Sequence, residues 1–200
     1  TPVHAFVFIN EIMYNPIYDE PYNEWIEVYN NGNKTNLTGW TICDKDLLSG
    51  YINRSGNLNL NGTMILESKQ YAIITDGGSG TEVYDNFNVK LNSIALHTEG
   101  STICGGLSND DEKLIVLKNE NNSLIDAITY SDSWGADGNG FSLCKIPDGN
   151  GIWQECSATP GGINGLDIDF TLEITEFLPD PEGYDDGPMT GGEWAELYNN

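Results

Sequence analysis

The sequence predicts an all-β protein, an antiparallel sandwich or barrel, and three observations carry that prediction. Short stretches alternate apolar and polar residues with period two. In residues 24–29, Ile26 and Val28 would face one way and Trp25, Glu27 and Tyr29 the other. Clusters of Gly, Asn and Asp separate these stretches and punctuate the chain with turns. No window of helical length carries a 3.6-residue apolar period. Many short strands joined by tight turns bury one face each, and that geometry closes as two packed sheets or a barrel.

Taken in order, residues 5–13 are apolar and β-branched, and stop at the turn signal Asn15-Pro16. Residues 24–29 form the alternating second strand, and residues 38–43 follow an Asn-Gly-Asn loop. Residues 64–66 and 71–75 read as the next pair, ended by Asp76-Gly77-Gly78-Ser79-Gly80. Residues 114–117 and 124–130 flank Lys118-Asn119-Glu120-Asn121-Asn122 and read as a hairpin, with residues 141–146 as a further strand and 170–177 as the last group's start. Residues 47–61 and 78–106 lack a regular pattern and are expected to form long loops. The cluster Thr159-Pro160-Gly161-Gly162-Ile163-Asn164-Gly165 ends the first unit. The expected organisation is a sandwich over 1–165, an acidic linker over 166–171, and the opening strands of a second, incomplete module over 172–200.

That second module is expected because the ends of the chain repeat. Residues 9–31 read INEIMYNPIYDEPYNEWIEVYNN, and residues 174–200 read ITEFLPDPEGYDDGPMTGGEWAELYNN. Glu11, Glu24, Trp25 and Glu27 recur as Glu176, Glu193, Trp194 and Glu196. Tandem modules are commoner in extracellular scaffold and binding proteins than in compact enzymes.

Composition excludes some functions. Asp and Glu number 31 against 8 Lys and Arg, a formal net charge of -23. Eight scattered cations build no polyanion-binding face, which argues against a nucleic-acid partner. The acidity keeps the protein soluble, and Ca²⁺ is the cofactor that would relieve repulsion at clustered carboxylates. No apolar run is long enough for a membrane-spanning helix. There is no G-x-S-x-G, no P-loop, no H-E-x-x-H, and no G-x-G-x-x-G after a strand. With His4 and His97 the only histidines, no nucleophile system has a context, and His97 reads as a polar surface residue.

The four cysteines contain no C-x-x-C pair, so a zinc site has little support. Two disulfides fit the even count. Cys144 and Cys156 flank a Gly/Pro loop and are the first choice, which leaves Cys43 with Cys104; closing the shorter loop would stabilise by ~3 kcal/mol. Five N-x-[ST] sequons, at Asn33, Asn36, Asn53, Asn61 and Asn121, fall in turn-like stretches and point with the cysteines to a secreted or cell-surface glycoprotein. Val3-His4-Ala5 has the small-x-small shape of a signal-peptide cleavage site.

The phrases FINEIMYNP, EWIEVYN and LTGWTI appear in order, then GLSNDDEKLIVL, SLIDAITYSDSWGADGNGFSL, and Trp153-Gln154-Glu155 before ATPGGIN. This succession, over roughly residues 7–164, resembles the lamin-tail domain family in its prokaryotic secreted and surface form. The second copy matches only the opening. The resemblance implies an immunoglobulin-like β-sandwich without catalytic activity, of a kind found at the end of nuclear lamins and as an appendage of prokaryotic surface proteins. Residues 67–106 are longer than the family's compact pattern, and cysteines are not among its hallmarks, so both mark local elaboration.

Within this frame three groups of residues are candidate sites. Glu11 and Glu27 would lie near one another if the first two strands pair. Two close carboxylates are costly unless a proton, a cation or several backbone N–H groups intervene. Either they accept hydrogen bonds from a loop backbone, or they hold Ca²⁺ with Asp19 or Glu20 adding oxygens. Asp132, Asp137 and Asn139 are spaced like a cation-binding loop, although they lack the EF-hand pattern and the Gly-Ala-Asp-Gly turn accounts for them without a metal. Trp134 and Trp153 fall in expected loops and are candidates for stacking on sugar, while Trp40 is expected in the core and Trp25 buried or half-buried. The expected function is that of a non-catalytic extracellular structural or adhesive module, joined by strand addition to other copies of itself or to other surface proteins. The alternative is an accessory module that binds polysaccharide or Ca²⁺.

Overall fold

The computed structural model describes residues 6–59, 62–78, 81–165, 172–178 and 193–199. The expected linker 166–171, Asn61 and the Val3-His4-Ala5 stretch lie outside them. In chain order the strands are β1 (Val7–Met13), β2 (Trp25–Asn30), β3 (Thr35–Asn36), β4 (Thr41–Ile42), β5 (Lys45–Asp46), β6 (Leu48–Ser49), β7 (Tyr51–Ile52), β8 (Leu58–Asn59), β9 (Ile65–Leu66) and β10 (Tyr71–Thr75). They continue as β11 (Ile94–His97), β12 (Lys113–Lys118), β13 (Leu124–Tyr130), β14 (Phe141–Ile146), β15 (Ile152–Ser157), β16 (Leu172–Leu178) and β17 (Trp194–Asn199). A short α-helix, α1 (Val83–Asn86), lies between β10 and β11.

Among the described residues, a seven-stranded sheet runs β15-β14-β1-β2-β10-β11-β6 and a four-stranded sheet runs β13-β12-β4-β5. This is the immunoglobulin-like β-sandwich expected, built mainly of antiparallel pairs. Alternation puts Ile26 and Val28 of β2, Ala72 and Ile74 of β10, and Ile94 and Leu96 of β11 on one face of the large sheet. They form one core with Ile42 of β4 and Ile115 and Leu117 of β12. Trp40 and Tyr130 are buried in the same core, and each aliphatic side chain fully removed from water contributes about 1.5–3 kcal/mol.

The opposite face of the large sheet is also covered. Met13, Trp25 and Ile73 pack there with Val83 of α1, and Tyr84 and Phe87 close over them. A sheet buried on both sides reads as a continuous rather than alternating apolar run, and β10 (YAIIT) is buried at every position.

The structure corrects several expectations. β9 pairs with β3, whereas β10 pairs with β2 and β11, so residues 64–66 and 71–75 are not partners. Residues 78–106 contain β11, which runs parallel to β10 with Ala72 opposite Ile94. A parallel neighbour needs a crossover, and α1 lies within it. The strand expected at 38–43 shrinks to Thr41–Ile42, because Gly39 (φ 77°) belongs to a turn closed by the Trp40 amide donating to Leu37 O at 3.0 Å. β15 was not legible either, since its sequence IWQECS alternates weakly. His97 is 7% exposed, with Nδ1 3.0 Å from Gly50 O, so it is a core histidine rather than a surface one.

Residues 166–200 form a separate unit. Its described part is the antiparallel pair β16–β17, with Ile174 opposite Leu197, Glu176 opposite Glu196, and a bulge between Ile174 and Glu176. The pair β1–β2 has the same form: Ile9 opposite Val28, Glu11 opposite Glu27, and a bulge between Ile9 and Glu11.

Candidate functional site

The bulge in β1 builds the most unusual site in the molecule. One extra residue, Asn10, lets Ile9 face the core while Glu11 falls beside Glu27 on the other side of the sheet. Both glutamates are fully buried. The Glu11 carboxylate accepts from the Thr159 amide (2.9 Å), the Thr159 hydroxyl (3.2 Å) and the Ser142 hydroxyl. The Glu27 carboxylate accepts from the Gly161 amide at 2.7 Å and from Asn10 Nδ2 at 2.8 Å. Gly161 has φ +82°, and a Cβ there would come within 2.8 Å of Ser93, so glycine is required where the backbone approaches the carboxylate.

A second tier of polar groups surrounds the pair. Asn10 Nδ2 also reaches Asp148 Oδ1 (3.1 Å), and Asn10 Oδ1 accepts from the Gly149 amide (2.8 Å). Asn164 Nδ2 donates to Asn10 O and Lys145 O, both at 3.1 Å, and the Tyr71 hydroxyl donates to Asp148 Oδ2 at 2.7 Å. Burial pushes the Glu11 carboxyl up to about 7, against the lowering effect of its Ser142 and Thr159 hydrogen bonds. Burial, and then the charge of Glu11, hold Glu27 well above the ordinary carboxylate range. Two facing carboxyls with raised affinity for protons share the site most cheaply as one acid and one carboxylate.

The arrangement ties the loop of residues 159–164 to the centre of the large sheet. Of the two possibilities for Glu11 and Glu27, the geometry contains the loop-backbone hydrogen bonds. Asp19 and Glu20 are not brought to the pair. Asp19 is exposed, 3.8 Å from the Arg54 guanidinium, and Glu20 accepts from Asn109 Nδ2 at 3.0 and 3.1 Å. The sequence reading missed Asn10, Ser142, Asp148 and Asn164. The one signal available was ATPGGIN, whose Thr159, Gly161 and Asn164 all join the network.

Asp132, Asp137 and Asn139 sit in one loop but engage different partners. Asp132 Oδ1 accepts from the Ser133 amide (2.8 Å), Asp137 Oδ1 from Asn15 Nδ2 (2.6 Å), and Asn139 Nδ2 donates to Glu155 Oε2 (2.8 Å). Glu155, missed by the sequence reading, also accepts from the Ala136 amide. These two bonds hold its carboxyl below the usual range. Among the described residues, no three His, Cys, Asp or Glu side chains group as a metal cluster.

Trp134 and Trp153 come together. With Gly151, Ile152, Gln154 and Glu155 they line a cleft of about 640 Å³. Trp134 is 40% exposed and Ile152 80%. Trp153 lies in β15 rather than in a loop, and is partly buried with Lys145 Nζ 5.3 Å from its ring. The structure joins Cys43 to Cys104 and Cys144 to Cys156. Of the sequon asparagines, Asn33, Asn36 and Asn121 are exposed and Asn53 is half-buried.

Comparison with curated proteins finds no match. The family model of the lamin tail domain matches residues 2–132, from before β1 to just beyond β13. The match covers the first two strands and their glutamates, LTGWTI, and the β12–β13 hairpin, and it leaves β14, β15 and the closing ATPGGIN outside. It spans well over half of the chain, and the sandwich is of the immunoglobulin-like form that the family takes, so this protein belongs to the lamin tail domain family, a family of non-enzymatic β-sandwich modules.

Proposed function

We propose that this chain is a non-catalytic extracellular module used in tandem, which displays its loops from a rigid sandwich and joins neighbouring copies or other surface proteins by strand addition. The observation that carries the reading is the β16–β17 hairpin. It repeats the register and bulge of β1–β2, yet Phe177 is 66% exposed where Ile12, its counterpart in β1, is wholly buried. A two-stranded hairpin with an uncovered apolar residue is marginal in water and gains by pairing with further strands. Two disulfides favour an oxidising compartment, and the exposed Asn33, Asn36 and Asn121 favour N-glycans there.

Sedimentation velocity over a range of concentrations tests the association. The wild-type chain associates as concentration rises, and Phe177→Asp remains monomeric. A wild type that is monomeric throughout, or a variant that associates equally, refutes strand addition.

A second reading has its own observation. The cleft holding Trp134 and Trp153 offers an exposed indole face beside the polar Gln154 and Glu155, the arrangement that stacks on and hydrogen-bonds a sugar ring. Polysaccharide binding on a glycan array, abolished by Trp134→Ala, supports it; no binding by the wild type removes it.

A further inference from the structure

At one end of the sandwich the core-facing rows of three neighbouring strands finish in polar residues. β2 and β10 pair with Tyr71 opposite Tyr29 and Ile74 opposite Ile26, so two residues further on Asp76 stands opposite Glu24. β10 and β11 run parallel with Thr75 opposite His97, and the Thr98 amide donates to Thr75 O at 3.1 Å, which sets Thr98 beside Asp76. Period two places Glu24, Asp76 and Thr98 on the face that carries Ile26, Ile74 and Leu96. They are 4%, 1% and 0% exposed. The loop through Leu107 and Asn109 closes this end: the Leu107 amide donates to Glu24, and Asn109 Nδ2 donates to the Glu20 carboxylate.

Four oxygens here are buried without a hydrogen-bond partner: Glu24 Oε2, Asp76 Oδ2, Thr98 Oγ1 and Asn109 Oδ1. A buried acceptor left unpaired is costly, and more so when it is charged. Among the described residues the other buried acids, Glu11 and Glu27, are satisfied by the chain itself, so the unpaired oxygens of Glu24 and Asp76 stand apart. The nearby cation, Lys113, donates instead to Cys104 O at 2.9 Å and has the weakest influence on Glu24. Burial and the charges of Glu20 and Asp76 push the Glu24 carboxyl up to about 8.

We propose that Glu24, Asp76, Thr98 and Asn109 form a Ca²⁺ site that ties together the ends of β2, β10 and β11 and the 107–109 loop. Two carboxylates balance a divalent charge. The donors are all oxygen, which selects a hard cation and disfavours zinc. They come from four separate segments and include a hydroxyl and an amide, an irregular set that suits the larger, more adaptable Ca²⁺ over the strict octahedron of Mg²⁺. The site shares no residue with the glutamate pair or the β16–β17 hairpin, so its test is independent of the strand-addition reading.

The test is thermal melting of the full chain, stripped with EDTA and titrated with Ca²⁺ or Mg²⁺. Roughly 10 mM Ca²⁺ raises Tm by about 3–10 °C, and Mg²⁺ by less. Asp76→Asn keeps the acceptor for the Gly78 amide (2.9 Å) but removes the charge, and it loses most of the shift, as does Glu24→Gln. The control Glu196→Gln, which removes the same single negative charge, retains the shift. Tyr130 lies close enough to feel the charge of Glu24, so Tb³⁺ bound at the site emits on its excitation and is displaced by Ca²⁺, a readout that needs only the wild-type chain. The proposal is overturned by the absence of a Ca²⁺ shift, by an equal shift in Asp76→Asn, or by the absence of Ca²⁺-displaceable Tb³⁺ emission.

Discussion

The two glutamate-bearing hairpins share a register and differ in everything around it. In β1–β2 the bulge sets Glu11 opposite Glu27, and both are fully buried. In β16–β17 the same bulge sets Glu176 opposite Glu196, and both are exposed. The local rule, one extra residue before the glutamate, is written in the strands themselves and operates twice. Burial is not a property of the hairpin. It is supplied by β14 and β10 on either side and by the 159–164 loop, whose amides are aimed at the carboxylates. The same pair of acids is therefore a tie between distant segments in one place and a pair of surface charges in the other.

Four experiments test the contrast between the two hairpins. The largest effect comes from the body around the first hairpin. Replacing Cys43 and Cys104 with serine opens a loop of sequence separation 61 and costs about 4 kcal/mol, measured as the change in urea midpoint. The second hairpin has no cysteine, so the loss falls on the transition of the body alone.

Glu27→Ala comes next. It strands the buried Gly161 amide, takes one of the two acceptors from Asn10 Nδ2 and leaves a cavity, for a loss on the order of 3 kcal/mol. An unchanged urea midpoint would show that the loop does not depend on the pair.

The third concerns pH. The folded-state affinity of Glu11 for its proton is raised, from a carboxyl ordinarily near 4.5 to about 7. Between those values the folded state binds more protons than the unfolded one, so the stabilisation is full below about 4.5 and declines as pH rises through 7. Glu11→Gln, which cannot titrate, flattens that decline by on the order of 2 kcal/mol in urea midpoints between pH 4.5 and 7. General repulsion from the net charge of -23 has the same sign, and the difference between variant and wild type separates the two.

The smallest effect belongs to the second hairpin. Glu196→Ala, at the position matching Glu27, leaves Tm within about 1–2 °C of wild type. A loss as large as that of Glu27→Ala would mean that this pair, too, is covered in solution.

Much of this was legible beforehand. Residues 141–146 and 71–75 coincide with β14 and β10, and the 114–117 and 124–130 hairpin with β12–β13. Alternation and turn residues act between neighbours, and neighbours are what a sequence displays. β11 escaped because Ile94, Ala95 and Leu96 are three apolar residues with no alternation, and a strand buried on both faces has none to offer. His97 escaped because its burial depends on Gly50, nearly fifty residues earlier. At the candidate site the glutamates stood out by their repetition, whereas Asn10, Ser142, Asp148 and Asn164 looked like ordinary polar residues of strands and turns.

Short-range pattern and composition carried the β character, most of the strands and the repeat of the glutamate-bearing opening, and the spacing of Cys144 and Cys156 pointed to their pairing. Which acids are buried, which strand runs parallel and which loop closes over Glu11 and Glu27 emerge with the packed fold. The loop that closes over the glutamates contacts them from more than a hundred positions away, and a carboxyl group's proton affinity is set by what is packed against it.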